Sequence, residues 1–182
     1  MEFESPKHHK QIVNDLMDGK FILSKEKHFD TIKEFNSYYE NFFNHSFGYE
    51  LIFKHEYAYI ISSETNENLS RDISVFMAIL CFELDKEGIN FLDKIEYGDF
   101  SIDEIDKYFD NSSYSELILE NNQIKNSEAR RKLIRNMTSK NIIEKHSDDR
   151  FSFTPAHKVF IDFAKELALT NQQDNLQAGE NQ

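Results

Sequence analysis

Residues 130–160 read RRKLIRNMTSKNIIEKHSDDRFSFTPAHKVF. Ala129, Leu133, Ile134 and Met137 recur at helical spacing, and Ser127 stands where an N-cap belongs, so a helix is predicted over 128–140. The composition then turns to β-branched and aromatic residues. Stretches 142–146 and 150–154 flank the turn Ser147-Asp148-Asp149, which is the pattern of a hairpin. Thr154-Pro155 joins an N-cap to a proline at the first helical position. It opens a last helix with Val159, Phe160, Phe163 and Leu167 on one face. Helix, two-stranded wing, helix is the order on which the fold assignment turns.

Working upstream, Ser101 with Glu104 makes a capping box, and a helix over 102–110 follows with Ile102, Ile105 and Phe109 inward. A short extended piece precedes it, and residues 111–126 form a loop with a helical turn at 115–120. Residues 87–98 are ambiguous. Ser70 is placed to cap a helix from Arg71 to Lys86 that is apolar nearly all round, the mark of a central helix.

The first part of the chain shows a shorter form of the same order. A helix over 7–18 carries Ile12, Val13, Leu16 and Met17 on one face and ends at Gly19. FIL at 21–23 is extended. Ser24 is placed to cap a second helix running to Asn44, with Phe29, Ile32, Phe35, Tyr39, Phe42 and Phe43 along one stripe. YELIF (49–53) and YAYII (57–61) then read as a hairpin. The fold class expected is α+β, mostly helical, in two tandem winged-helix domains: residues 1–66, residues 67–169, and a disordered polar tail over 170–182.

Composition sets the functional bounds. Five Gly and two Pro in 182 residues argue against turn-rich all-β folds, and neither GxGxxG nor GxxxxGK[ST] occurs. The longest apolar run, Val75 to Phe82, is too short to span a bilayer, and the N-terminus has no signal-peptide character. A soluble, cytoplasmic protein is expected. Cys81 lies within that run, where it reads as a buried structural thiol.

Catalytic constellations fail one by one, and no enzyme activity is expected. His55-Glu56 begins like HExxH, but Tyr59 occupies the place of the second His. GxSxG is absent. The acids Asp99, Asp103, Glu104, Asp106 and Asp110 lack the spacing of a calcium loop and read as a solvated helix face. His8-His9 is an isolated pair near a terminus, short of the ligands that a metal needs. No metal and no cofactor are expected.

Charge segregation is the informative feature. The chain carries a net charge of −12, yet from Lys125 to Lys145 seven basic residues face two acids, a local +5 that leaves −17 elsewhere. Arg131, Lys132, Arg135, Lys140 and Lys145 are the candidate DNA-binding residues, because the helix that follows the turn presents such a face to DNA phosphates in winged-helix and helix-turn-helix proteins. An acidic protein surface is an alternative partner, and a solvated helix face is the bland reading.

At larger scale the chain resembles the MukE family, small subunits of the bacterial MukBEF condensin. The resemblance is carried by LMDGKFI (16–22), YYENFF (38–43), GYELIFKHEYAYI (48–60), LSRDISVFMAILCFEL (69–84) and the closing stretch 130–160, in that order. It implies a non-catalytic, cytoplasmic and nucleoid-associated homodimer. Such a protein binds a MukF-like kleisin and, through it, a MukB-like SMC ATPase, and acts on DNA in the assembled complex, in chromosome condensation and segregation. The MksE or Wadjet-type relatives, with roles in alternative condensation or plasmid defence, remain open. So does a free-standing winged-helix transcription regulator, which the acidic balance disfavours.

Overall fold

The computed structural model describes residues 5–61 and 67–164. It shows a mostly helical mixed fold with two small antiparallel sheets. The first half runs α1 (His9–Met17), β1 (Ile22–Leu23), α2 (Lys27–Glu34), α3 (Asn36–Phe47), β2 (Glu50–Phe53) and β3 (Tyr57–Ile61). The second runs α4 (Glu67–Lys86), α5 (Phe91–Tyr97), β4 (Phe100–Ser101), α6 (Ile102–Asp110), α7 (Ser115–Glu120), α8 (Ser127–Ser139), β5 (Ile143–Lys145), β6 (Arg150–Phe153) and a closing helix α9 over 157–164.

The two sheets are built alike. In each, a two-residue strand pairs with the second arm of a hairpin, giving the orders β1-β3-β2 and β4-β6-β5. Ile22 faces Ala58 across the first sheet, and Phe100 faces Phe151 across the second.

Side-chain alternation along the first sheet decides how the halves join. Successive strand residues point to opposite faces. Ile22 and Ala58 enter a small core with Ile12, Leu16, Phe29, Ile32, Tyr39, Phe43 and Leu51. Their neighbours Phe21, Leu23 and Tyr57 enter the larger core, among Phe76, Leu80, Ile134 and Phe160. The sheet is thus a wall between two cores and wet on neither face there, which is why FIL carries no polar residue.

Several expectations need correction. Ser24 caps nothing: α2 starts at Lys27 after Glu26, whose carboxylate instead accepts from the Leu23 amide. The helix expected to reach Asn44 is two helices, broken at Phe35 (φ −113°, ψ 35°). No Gly or Pro marks the break, and the apolar stripe keeps its phase across it, so the sequence pattern is blind to it. Ser70 lies inside α4 rather than at its start. Asn126, not Ser127, caps α8, its side chain accepting from the Ala129 amide. The ambiguous stretch contains α5. Cys81 is half-buried rather than buried, its thiol pKa raised by burial and by nearby Asp85.

The capping box at Ser101 and Glu104 forms as read, and α6 spans the expected residues. Both hairpins form. The expected boundary at residue 66, Leu167 and the tail over 170–182 lie outside the described residues.

Candidate functional site

The basic stretch resolves into an inner and an outer set. Helix α8 turns Arg130, Leu133, Ile134 and Met137 inward, at i, i+3, i+4 and i+7. Arg130 is therefore a core residue, 1% exposed. Its Nε donates to Asp106 Oδ1 at 2.7 Å, its Nη2 to Asp110 Oδ1 at 2.8 Å and its Nη1 to the Ile124 carbonyl at 3.2 Å. The guanidinium lies 5.5 Å from the centroid of the Phe109 ring. Two acids one turn apart on α6 thus hold α8 by its first turn. The sequence signal was present: Arg130 shares the phase of the apolar stripe, and Asp106 and Asp110 share a phase on α6.

The candidate residues part company. Lys132 and Arg135 are exposed on the outer side of α8, with no carboxylate among the described residues in ion-pair range. Arg131 stands beside them but is shared. Its Nε donates to Ser127 Oγ at 3.2 Å, and its Nη2 lies 3.7 Å from Asp106 and 3.8 Å from Asp103. Lys140, at the end of α8, donates its ammonium to the Asp18 carbonyl at the end of α1. Its own carbonyl accepts from the Phe21 amide at 3.0 Å. It thus belongs to the junction between the halves. Lys145 is exposed at the end of β5; its neighbour Glu144 pairs with Lys25 of the first half.

In the second hairpin, Arg150 is engaged by both oxygens of Asp99, at 2.9 and 2.6 Å. That fork holds the Asp99 pKa below the ordinary carboxylate value and raises that of Arg150. Of the acids read as a solvated face, Asp99, Asp106 and Asp110 accept hydrogen bonds from arginines, while Asp103 is 93% exposed and lies 3.8 Å from Arg131. Among the described residues no group of three or more His, Cys, Asp or Glu side chains is placed to hold a metal ion. His9 instead packs its ring against Tyr38, Tyr39 and Phe42, and burial lowers its pKa.

The outer face of α8 is suited to binding an anionic surface, since exposed cations a helical turn apart meet phosphate or carboxylate oxygens without first breaking an internal pair. The class of protein is that of condensin complex subunits. The chain belongs to the family of the condensin complex protein MksE, whose family model matches residues 7–165. No curated protein matches the sequence. No helix among the described residues is long and apolar enough to cross a membrane.

Proposed function

We propose that this chain is a non-catalytic, cytoplasmic subunit of an MksE-type condensin, two copies of which bind a kleisin subunit and through it an SMC-like ATPase. The observation that carries this reading is the family match over 7–165, nearly all of the chain. It favours the MksE alternative over a MukE proper, and leaves the complex to act in nucleoid condensation and segregation or in plasmid defence.

In this reading the halves 1–66 and 67–169 are tandem winged-helix units. Support comes from the shared strand orders β1-β3-β2 and β4-β6-β5, each closed by a hairpin. The second unit would present the outer face of α8 to DNA held by the rest of the complex. Lys132 and Arg135 would lead, Arg131 and Lys145 would assist, and Lys140 would set the position of the helix end.

The test is made on the assembled complex. Co-expression with a kleisin and an SMC-like ATPase of an MksE-type complex from the same source should yield one co-purifying assembly with two copies of this chain. The Lys132→Glu/Arg135→Glu variant should leave folding and assembly intact. It should also weaken DNA binding by the complex and flatten its salt dependence, because fewer counterions are released. Loss of assembly in that variant would make the face a protein interface. Unchanged DNA binding would make it a solvated face.

A further inference from the structure

A second surface has the opposite sign. Between α5 and α9 lies a groove of ≈ 390 Å³. Its apolar floor and walls come from Leu92, Tyr97 and Ile161. Leu92 is 58% exposed and Tyr97 84%, the largest exposure among the large apolar side chains of the described residues. Tyrosine normally buries its ring, and exposed aromatic anchors ringed by polar groups mark binding surfaces.

The rim is acidic. Asp93 and Glu96 stand on α5, Asp162 on α9, and Glu56 reaches over from the first hairpin. Against them stands Lys158, already bonded to Glu56 at 2.6 Å and 3.5 Å from Glu96. His157, buried at the back, has Glu96 3.4 Å from its Nε2.

We infer that this groove receives an amphipathic helix of another protein, whose apolar side chains seat between Leu92, Tyr97 and Ile161 and whose lysines or arginines meet Asp93 and Glu96. A two-helix groove with apolar anchors suits a third helix laid into it. The charge selects among occupants. DNA and anionic membrane surfaces are repelled by this rim. Residues 165–182 of the chain itself carry one lysine against three acids, the wrong sign for it. A second copy would offer α8, whose outer cations have no exposed apolar partner, since Leu133, Ile134 and Met137 are buried. The surface is separate from the outer face of α8, and the inference stands whether or not that face meets DNA.

The experiment uses the full chain and a fluorescent synthetic helical peptide of leucine and lysine, about four turns long, read by anisotropy. Its counterpart with glutamate for lysine is the control. The lysine peptide should bind and the glutamate peptide should not. Leu92→Ser/Tyr97→Ser should weaken binding about tenfold or more, as expected for loss of two anchors. Asp93→Lys should also weaken it and reduce its salt dependence. It carries the test alone if circular dichroism shows the double variant unfolded. A matched change on α7, Glu116→Lys/Leu119→Ser, should leave binding unchanged.

Absence of binding, or binding that survives the groove variants, overturns the inference. So does a tenfold or larger gain on truncation after Ala164, which would make residues 165–182 the occupant. Self-association by light scattering that is lost in Leu92→Ser/Tyr97→Ser would assign the groove to a second copy and overturn it likewise.

Discussion

Arg130 sits in the core with Asp106, Asp110 and the Ile124 carbonyl around it. A charge so placed is tolerated because every arm of the guanidinium has an acceptor. Removing it leaves Asp106 largely buried with Ser127 as its remaining close donor. Arg130→Ala should therefore lower stability by about 3–5 kcal/mol, the range for breaking a buried pair from one side. Arg130→Lys should recover only part, since an ammonium lacks the fork that spans both acids. Urea denaturation checks both, and a loss under about 1 kcal/mol for the alanine variant would mean that the pair contributes little. At the same scale, burial holds the His157 pKa below its ordinary 6.5, against the opposing pull of the Thr154 carbonyl and Glu96. The unfolded chain thus takes up this proton at a higher pH than the folded one. Stability from this site is full above pH 6.5 and declines as pH falls from there toward the lower folded value. On going from about pH 7 to about pH 5, the wild-type melting temperature should fall more than that of His157→Gln. Equal slopes would show that His157 is protonated alike in both states.

Among elements, the turn between α8 and β5 is the clip between the halves. Asn141 adopts φ 59°, which asparagine tolerates better than other side-chain-bearing residues. Its Nδ2 donates to the Phe21 carbonyl at 2.8 Å and to Glu26 Oε2 at 3.1 Å, while its own carbonyl accepts from Thr154 Oγ1 at 2.6 Å. One residue thus ties β1, the start of α2 and the entry to α9. Asn141→Gly keeps the backbone and loses the amide, and should cost about 1–2 kcal/mol. Asn141→Val adds the strain of a β-branched residue at positive φ and should cost about 1 kcal/mol more. Denaturant midpoints of the two variants separate tether from strain. Equal midpoints would remove the strain argument. The capping box of α6 could be read from the chain because both its partners lie within one turn. The clip could not, because Asn141 and Phe21 are far apart in sequence and the need for a left-handed residue arises only once the halves meet.

For the whole molecule, the larger core decides cooperativity. Phe21 is buried against Tyr57, Tyr59 and Phe160, so a residue of the first half fills the core of the second. Phe21→Ala should cost about 3–5 kcal/mol. It should also shift one common unfolding transition, seen alike by calorimetry and by circular dichroism. Two separate transitions, with only the earlier one moved, would show the halves to be independent.

Periodicity and end signals, which act within a few residues, determined most of the elements: both hairpins, α6 with its box, and the helical run that became α8. The charge segregation was equally open to view, since composition needs no fold. The rest was decided by packing. The break at Phe35 leaves no mark in an apolar stripe that continues across it. Arg130 and Arg131 are adjacent and chemically identical, yet one is a core anchor and the other lies partly exposed beside Asp103 and Asp106, because a step of about 100° along α8 carries the chain from its inner to its outer side. Lys140 became a junction residue for a similar reason: the carbonyl it meets, that of Asp18, is brought to it by the shared core and not by the chain.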